Sequence, residues 1–446
     1  MEATSATSVS SAAASLLSGE ARGLLTRLDR VRPFALHETM VPAAAPTPEA
    51  MTAVERFLVR GRTELRREVE AYLAWLGGPG RTAPPHVAQR RFTAVRRRFN
   101  GVLTQFDVFQ EAVTQRSERD IGVWLAGLDV AAADALATPR TPLHRPPPVI
   151  TYLDHGPGAA IRRVNTRIPG GGRTPVALVR IPRERMVGYG IGASLVHEVG
   201  HQAAALLGLV DSLRQVLLDI ELTARHPAER AAFGYWGLTV SEIVADFWAV
   251  GQLGIAGTLG LMGVVSLPRR FVFALVPDDP HPLPYIRVRL SCALGDALYP
   301  HPQWRALGSL WSALYPPTPL PRELRLLLGA LESTMPRFVD VMLRHRPPAL
   351  GGLRLADVMP LAERRPEQLL TRHGSWLRRP DLLRAAPPTL VFAVLGQARA
   401  AGRIGAEEES RLLGDVITHW ALSSTLASAW RCAGARPELP AGRSHR

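Results

Sequence analysis

Lysine is absent from this 446-residue chain: all 53 basic residues are arginine, and asparagine occurs only at Asn100 and Asn165. Cysteine occurs twice, at Cys292 and Cys432. That is too few for a disulfide framework or a four-cysteine zinc site, so both read as small buried hydrophobes. The stretch Met1 to Arg22 has no basic start and carries Glu2. It does not read as a signal peptide, and a cytoplasmic protein is expected. No fixed-period repeat is present, which excludes a solenoid or propeller. Charge is too sparse (21%) and apolar content too high (46%) for a disordered tail or a coiled coil.

Acidic residues are also in deficit, leaving a net charge of +14. The densest basic runs are Arg90-Arg91, Arg96-Arg97-Arg98 and Arg378-Arg379. None is interleaved with aromatics as a single-strand binding groove is. A solvated basic face is therefore expected, and nucleic acid is not the expected partner. Formal charge is missing altogether from Phe247 to Pro268 (FWAVGQLGIAGTLGLMGVVSLP). That run is long enough to suggest a membrane span. Glycines at 251, 254, 257, 260 and 263 and the acid Asp246 before it favour a buried helix running into a tight connection instead.

Helical periodicity runs from Met51 to Leu76 and again from about Val87 to Ala135, with a break near Arg119. Before it, residues 1–50 read as a largely disordered N-terminus with a Pro/Ala linker at Val41 to Glu49. Five prolines between Thr138 and Pro148 place a boundary between a helical region, 51–137, and the next unit, 149–315. That unit opens with two strand candidates, Val149–Leu153 and Val176–Ile181, followed by a helix from about Gly190 to Gly208. A C-terminal helical region, 316–433, and a disordered tail, 434–446, complete the reading. The fold class is α+β and predominantly helical, with a small sheet. The helical regions could serve a protein assembly partner.

His197-Glu198-Val199-Gly200-His201 is an HExxH pattern inside an apolar helix. Residues four apart stack on one helix face, so the two imidazoles can grip one ion, with Glu198 as general base toward a water on it. An ordinary polar face is the alternative, but this helix is apolar around the motif, and burying those groups unpartnered is costly. A third ligand is still required, and the candidates are Glu221, Glu229 and Glu242. Glu242 stands out because Ser241 to Asp246 is a second apolar helical segment whose only acids lie four residues apart. Glu242 could bind the metal while Asp246 accepts a ring N–H from a ligand histidine. A helix N-cap with Ser241 or Thr239 is the competing reading. Downstream, Asp278-Asp279-Pro280-His281, then Tyr285 and Arg287, supply candidates for stabilising an oxyanion, with an Asp orienting His281. A proline-rich surface turn would explain the same residues.

HExxH followed by a helical ExxxD resembles the gluzincin branch of zinc metallopeptidases, the class that includes the thermolysin-like enzymes. The resemblance covers about Val149 to Trp304. It implies a zincin-like catalytic core holding one Zn2+ per chain through His197, His201 and Glu242. It also implies catalysis of peptide hydrolysis by Glu198, a supporting role for Asp246, and a peptide or protein substrate. It further implies that Val176–Ile181 is the edge strand along which an extended peptide pairs. The chain lacks the Gly-x-Met-Glu-Asn signature of the aminopeptidase members, so an endopeptidase is expected. A catalytically silent, metal-stabilised assembly or cargo protein is the alternative, and an arginine-driven nucleic-acid binder a further one.

Overall fold

A computed structural model describes residues 2–30, 40–137, 146–156, 158–168, 171–183 and 186–434. Four long helices come first: α1 (Glu2–Arg30), α2 (Pro48–Gly77), α3 (Pro85–Thr114) and α4 (Arg119–Leu136). The expected disordered N-terminus is thus a helix from Glu2 to Arg30. Leu17, Ala21, Leu24 and Leu28 recur at helical spacing and are buried against α2 and α3, which is what orders it. The break expected near Arg119 falls at the 3-10 turn Gln115–Ser117. Residues 138–145, most of the proline-rich segment, and the tail 435–446 lie outside the described residues.

Three strands follow: β1 (Val149–Asp154), β2 (Ala160–Arg162) and β3 (Ala177–Pro182). Their spatial order is β1-β3-β2, with β3 parallel to β1 and antiparallel to β2. This corrects the expectation for Val176–Ile181. That segment is the centre of the sheet, and burial on both faces, apart from half-buried Arg180, is why it reads as an apolar run. The edge beside it is β2, three residues long and too short to register as a strand in the sequence.

The remainder is helical: α5 (Tyr189–Leu206), α6 (Leu209–Thr223), α7 (Pro227–Leu253), α8 (Ile255–Val265), α9 (Arg269–Val272), α10 (Pro284–Leu298), α11 (Pro302–Leu314), α12 (Arg322–Arg344), α13 (Pro366–Arg378), α14 (Pro380–Ala385), α15 (Pro388–Ala400) and α16 (Ala406–Gly434). The uncharged run Phe247 to Pro268 is split between α7 and α8 by Gly254, whose φ of +58° a side chain would resist. Among the described residues no helix is long and apolar enough to cross a membrane.

Packing redraws the expected boundaries at 137, 149 and 316. One apolar core runs from α4 through the sheet and α5–α8 to α16, so α4 and the C-terminal helices belong with the central unit. A second core joins α1–α3 to the opposite sheet face through Ile150, Val176 and Leu178. The two meet at a buried Arg116, which donates to Thr151 O (2.7 Å) and to Asp129 (3.1 Å). Asp129 in turn accepts from Thr151 N at 2.7 Å. Cys292 is a buried free thiol, as expected, while the Cys432 side chain lies outside the described residues.

Candidate metal centre

Two helices of the central unit make close contact at a glycine, and the contact builds the site. A Cβ on Gly200, in the middle of HExxH, would lie 2.9 Å from Ala245 Cα and 3.0 Å from Ala245 O. Only hydrogen fits there, so α5 and α7 approach backbone to backbone. This brings His197 and His201 opposite Glu242, which sits in the interior of α7. The N-cap reading is therefore excluded: α7 starts at Pro227, and Thr239 bonds back to Tyr235 O within the helix.

One donor atom from each of His197, His201 and Glu242 falls within 4.8 Å of the others. Nε2 of both histidines stops 3.4 Å from the Glu242 carboxylate, on separate oxygens. Among the described residues the His201 ring makes no hydrogen bond, although it is largely buried. With its Nε2 unprotonated, an imidazole so placed aims a lone pair at a carboxylate across a gap that a cation would fill. The donor set of two imidazoles and one carboxylate therefore fits a divalent ion, without selecting zinc over its neighbours.

A second ring of contacts holds these donors. Nδ1 of His197 donates to Asp246 Oδ1 at 2.9 Å. Arg287, from α10, grips Asp246 through two bonds, Nε to Oδ2 at 2.6 Å and Nη2 to Oδ1 at 2.9 Å. It also reaches Glu242 Oε2 at 3.2 Å. Asp279 orients His281: its Oδ1 is 2.7 Å from His281 Nδ1, which leaves Nε2 3.5 Å from Glu242 Oε2. The His281 side chain is 57% exposed against 18% for the two histidines of α5, so it stands at the mouth of the site.

Electrostatics follow from burial in this company. Burial opposes charge on Glu242, but the His197 and Arg287 contacts outweigh it and bring its carboxyl down to about 2. Asp246 is likewise held low, chiefly by Arg287 and His197 against desolvation. Burial disfavours a charged His197, yet its bonds to Asp246 and Glu242 push it up to about 10. Burial and the neighbouring His197 charge push His201 down to about 4. Glu198 is the exception among the acids: desolvation lifts it to about 7, where a carboxyl can both accept and return a proton.

Beside Glu198 a cavity of about 140 Å³ runs between Gly158–Ala159 and α8, and it is shared by His197, Asp246, His281 and Arg287. It meets an outer groove of about 530 Å³ lined by Tyr235, Leu238, Phe271, Leu275 and His281.

Of the residues expected from the sequence, the structure brings together His197, Glu198, His201, Glu242, Asp246, His281 and Arg287. It separates the others. Glu221 lies against Gly234 between α6 and α7, Glu229 pairs with Arg337, and Tyr285 is buried with its hydroxyl on Ser312. The clamp of Arg287 on Asp246 was not foreseen, because it joins residues 41 apart through a tertiary contact. Comparison with protein-family models, curated proteins and solved structures finds no match to this chain.

Proposed function

We propose that the protein is a zinc-dependent endopeptidase with a zincin-like core of gluzincin type. The observation that carries the reading is the convergence of His197, His201 and Glu242 within 4.8 Å, with His197 lining a cavity that Glu198 also lines. Zinc held by these three residues would supply Lewis acidity and a water of lowered pKa.

The chain's own groups then divide the work. Asp246 fixes the tautomer of His197, so that Nε2 faces Glu242. Arg287 keeps Asp246 and Glu242 from turning away or taking up protons. Glu198 accepts the proton of the attacking water and passes it to the departing amine; a carboxyl lifted to about 7 serves both directions. His281, held through its Nδ1–H by Asp279, would as the imidazolium donate from Nε2 to the oxygen that gains charge as water adds to the peptide carbonyl.

Glu198→Gln tests the assignment, since the amide keeps the shape and removes the base. It should retain the metal and lose roughly 10²–10⁴-fold in the rate of cleavage of unfolded protein substrates. Cleavage at the wild-type rate would remove Glu198 from the mechanism.

A further inference from the structure

We propose that the groove beside β2 binds a short run of acidic residues in an extended peptide substrate, with Arg162, Arg163 and Arg167 taking its carboxylates. The inference rests on the peptidase reading and adds a substrate class to it.

β2 pairs only with β3, so its outer edge is open among the described residues. That edge is tied to the metal helix: Val164 N donates at 2.8 Å to Oε1 of Gln202, the residue after His201. Gly158 and Ala159, immediately before β2, line the cavity shared with His197 and Glu198. A peptide laid across Glu198 and continued in extended form along this edge passes Ala160, Ile161 and Arg162. Main-chain pairing at an open edge supplies affinity without sequence preference, and side-chain subsites beyond it add specificity.

What lies beyond the edge is basic. A groove of about 470 Å³ is lined by Tyr152, Thr166, Arg162, Arg163, Arg167 and Arg180, among others. Arg180 is engaged by Asp154 at 3.2 Å. Arg162, Arg163 and Arg167 make no ion pair among the described residues, and Arg163 and Arg167 are exposed. Glu111 and Asp154 are the acids that act on Tyr152 in this groove, and Asp154 is already taken. Positive charge is therefore in excess on the sheet face opposite α5, which alternate side chains of a peptide laid along β2 would reach. A guanidinium matches a carboxylate through two parallel bonds and gives up its hydration more readily than an ammonium. One exposed pair adds little, so discrimination requires several carboxylates in succession. At about 3.3 Å per extended residue, Arg163 stands roughly four residues from the cavity wall, which sets the spacing between the acidic run and the cleaved bond. Tyr152 is the sole aromatic lining the groove, which suits stacked bases poorly.

The test uses the full-chain Glu198→Gln protein and a fluorescein-labelled peptide with glutamate runs on both sides of an apolar centre. Its counterpart carries glutamine in place of glutamate, and affinities are read by anisotropy over a salt series. The glutamate peptide should bind about tenfold tighter at low salt, with the gap closing as salt rises. In Arg163→Glu/Arg167→Glu the ratio should fall to one or below. Arg162→Gln, a milder change, should lower it partway, with the melting temperature reporting that each variant is folded. Equal affinities, no binding of either peptide, or an unchanged ratio in the double variant would overturn the inference. So would a single-stranded DNA of equal charge that binds more tightly than the glutamate peptide and depends on the same arginines. Cleavage assays with the wild-type protein separate the two claims. Equal cleavage of both peptides removes the acidic subsite and leaves the peptidase standing. Arginine-dependent binding without cleavage of any peptide does the reverse.

Discussion

Oδ1 of Asp246 lies 2.9 Å from Nδ1 of His197, and Asp246 stands one helical turn after Glu242 on the same helix. One face of α7 thus contributes a candidate donor, Glu242, and the group that orients His197 across the helix contact. Replacing Asp246 with Asn keeps the volume but removes the charge that holds His197 Nδ1 and that Arg287 grips. Metal affinity, read by competition with a chromophoric chelator, should weaken by about 10- to 100-fold. An unchanged dissociation constant would show that the His197 ring is set by packing alone.

Gly200 is the position on which that contact depends. A side chain there meets the Ala245 backbone at 2.9–3.0 Å, and neither helix can yield without moving His197, His201 or Glu242. Gly200→Val should cost roughly 2–3 kcal/mol in thermal or denaturant unfolding, and the metal should be lost with it. A variant of wild-type stability and metal content would mean that α5 and α7 are held elsewhere.

The convergence of His197 and His201 on one face of α5 was legible because their spacing and apolar surroundings act together: polar groups are too costly on such a helix without a partner. Glu242 and Asp246 were legible for the same reason. The role of Arg287 was not, since nothing local distinguishes an arginine that clamps a carboxylate from one at the surface of a chain with 53 basic residues. α1 was missed because Ala and Ser dominate its start and its leucines begin only at Leu16. The proline-rich segment before β1 looked like a domain boundary, yet α4 shares one core with α16 far along the chain. Such long-range burial leaves no periodic trace.

Glu409 gives the fold a pH dependence of its own, away from the His197, His201 and Glu242 cluster. Its carboxylate, 2% exposed, sits beside Gly188 and accepts from Tyr189 N at the start of α5. Burial raises it to about 7, against the opposing pull of Arg399 and the Tyr189 amide. Between the ordinary glutamate value and about 7 the folded chain holds a proton that the unfolded chain has lost, so stability declines as pH rises through this window. Relative to Glu409→Gln, the wild type should lose on the order of 2 kcal/mol between pH 5 and pH 8. Parallel stability curves for the two proteins would contradict this.

The central claim is that His197, His201 and Glu242 hold one ion, and metal content per chain tests it most directly. Protein purified without added metal or chelator is analysed by elemental methods, then titrated with zinc alongside Glu242→Gln. The account predicts close to one zinc per chain in the wild type, with affinity sharply reduced in the variant. No zinc in the purified protein and none taken up on titration would contradict it, and the peptidase reading would fall with it.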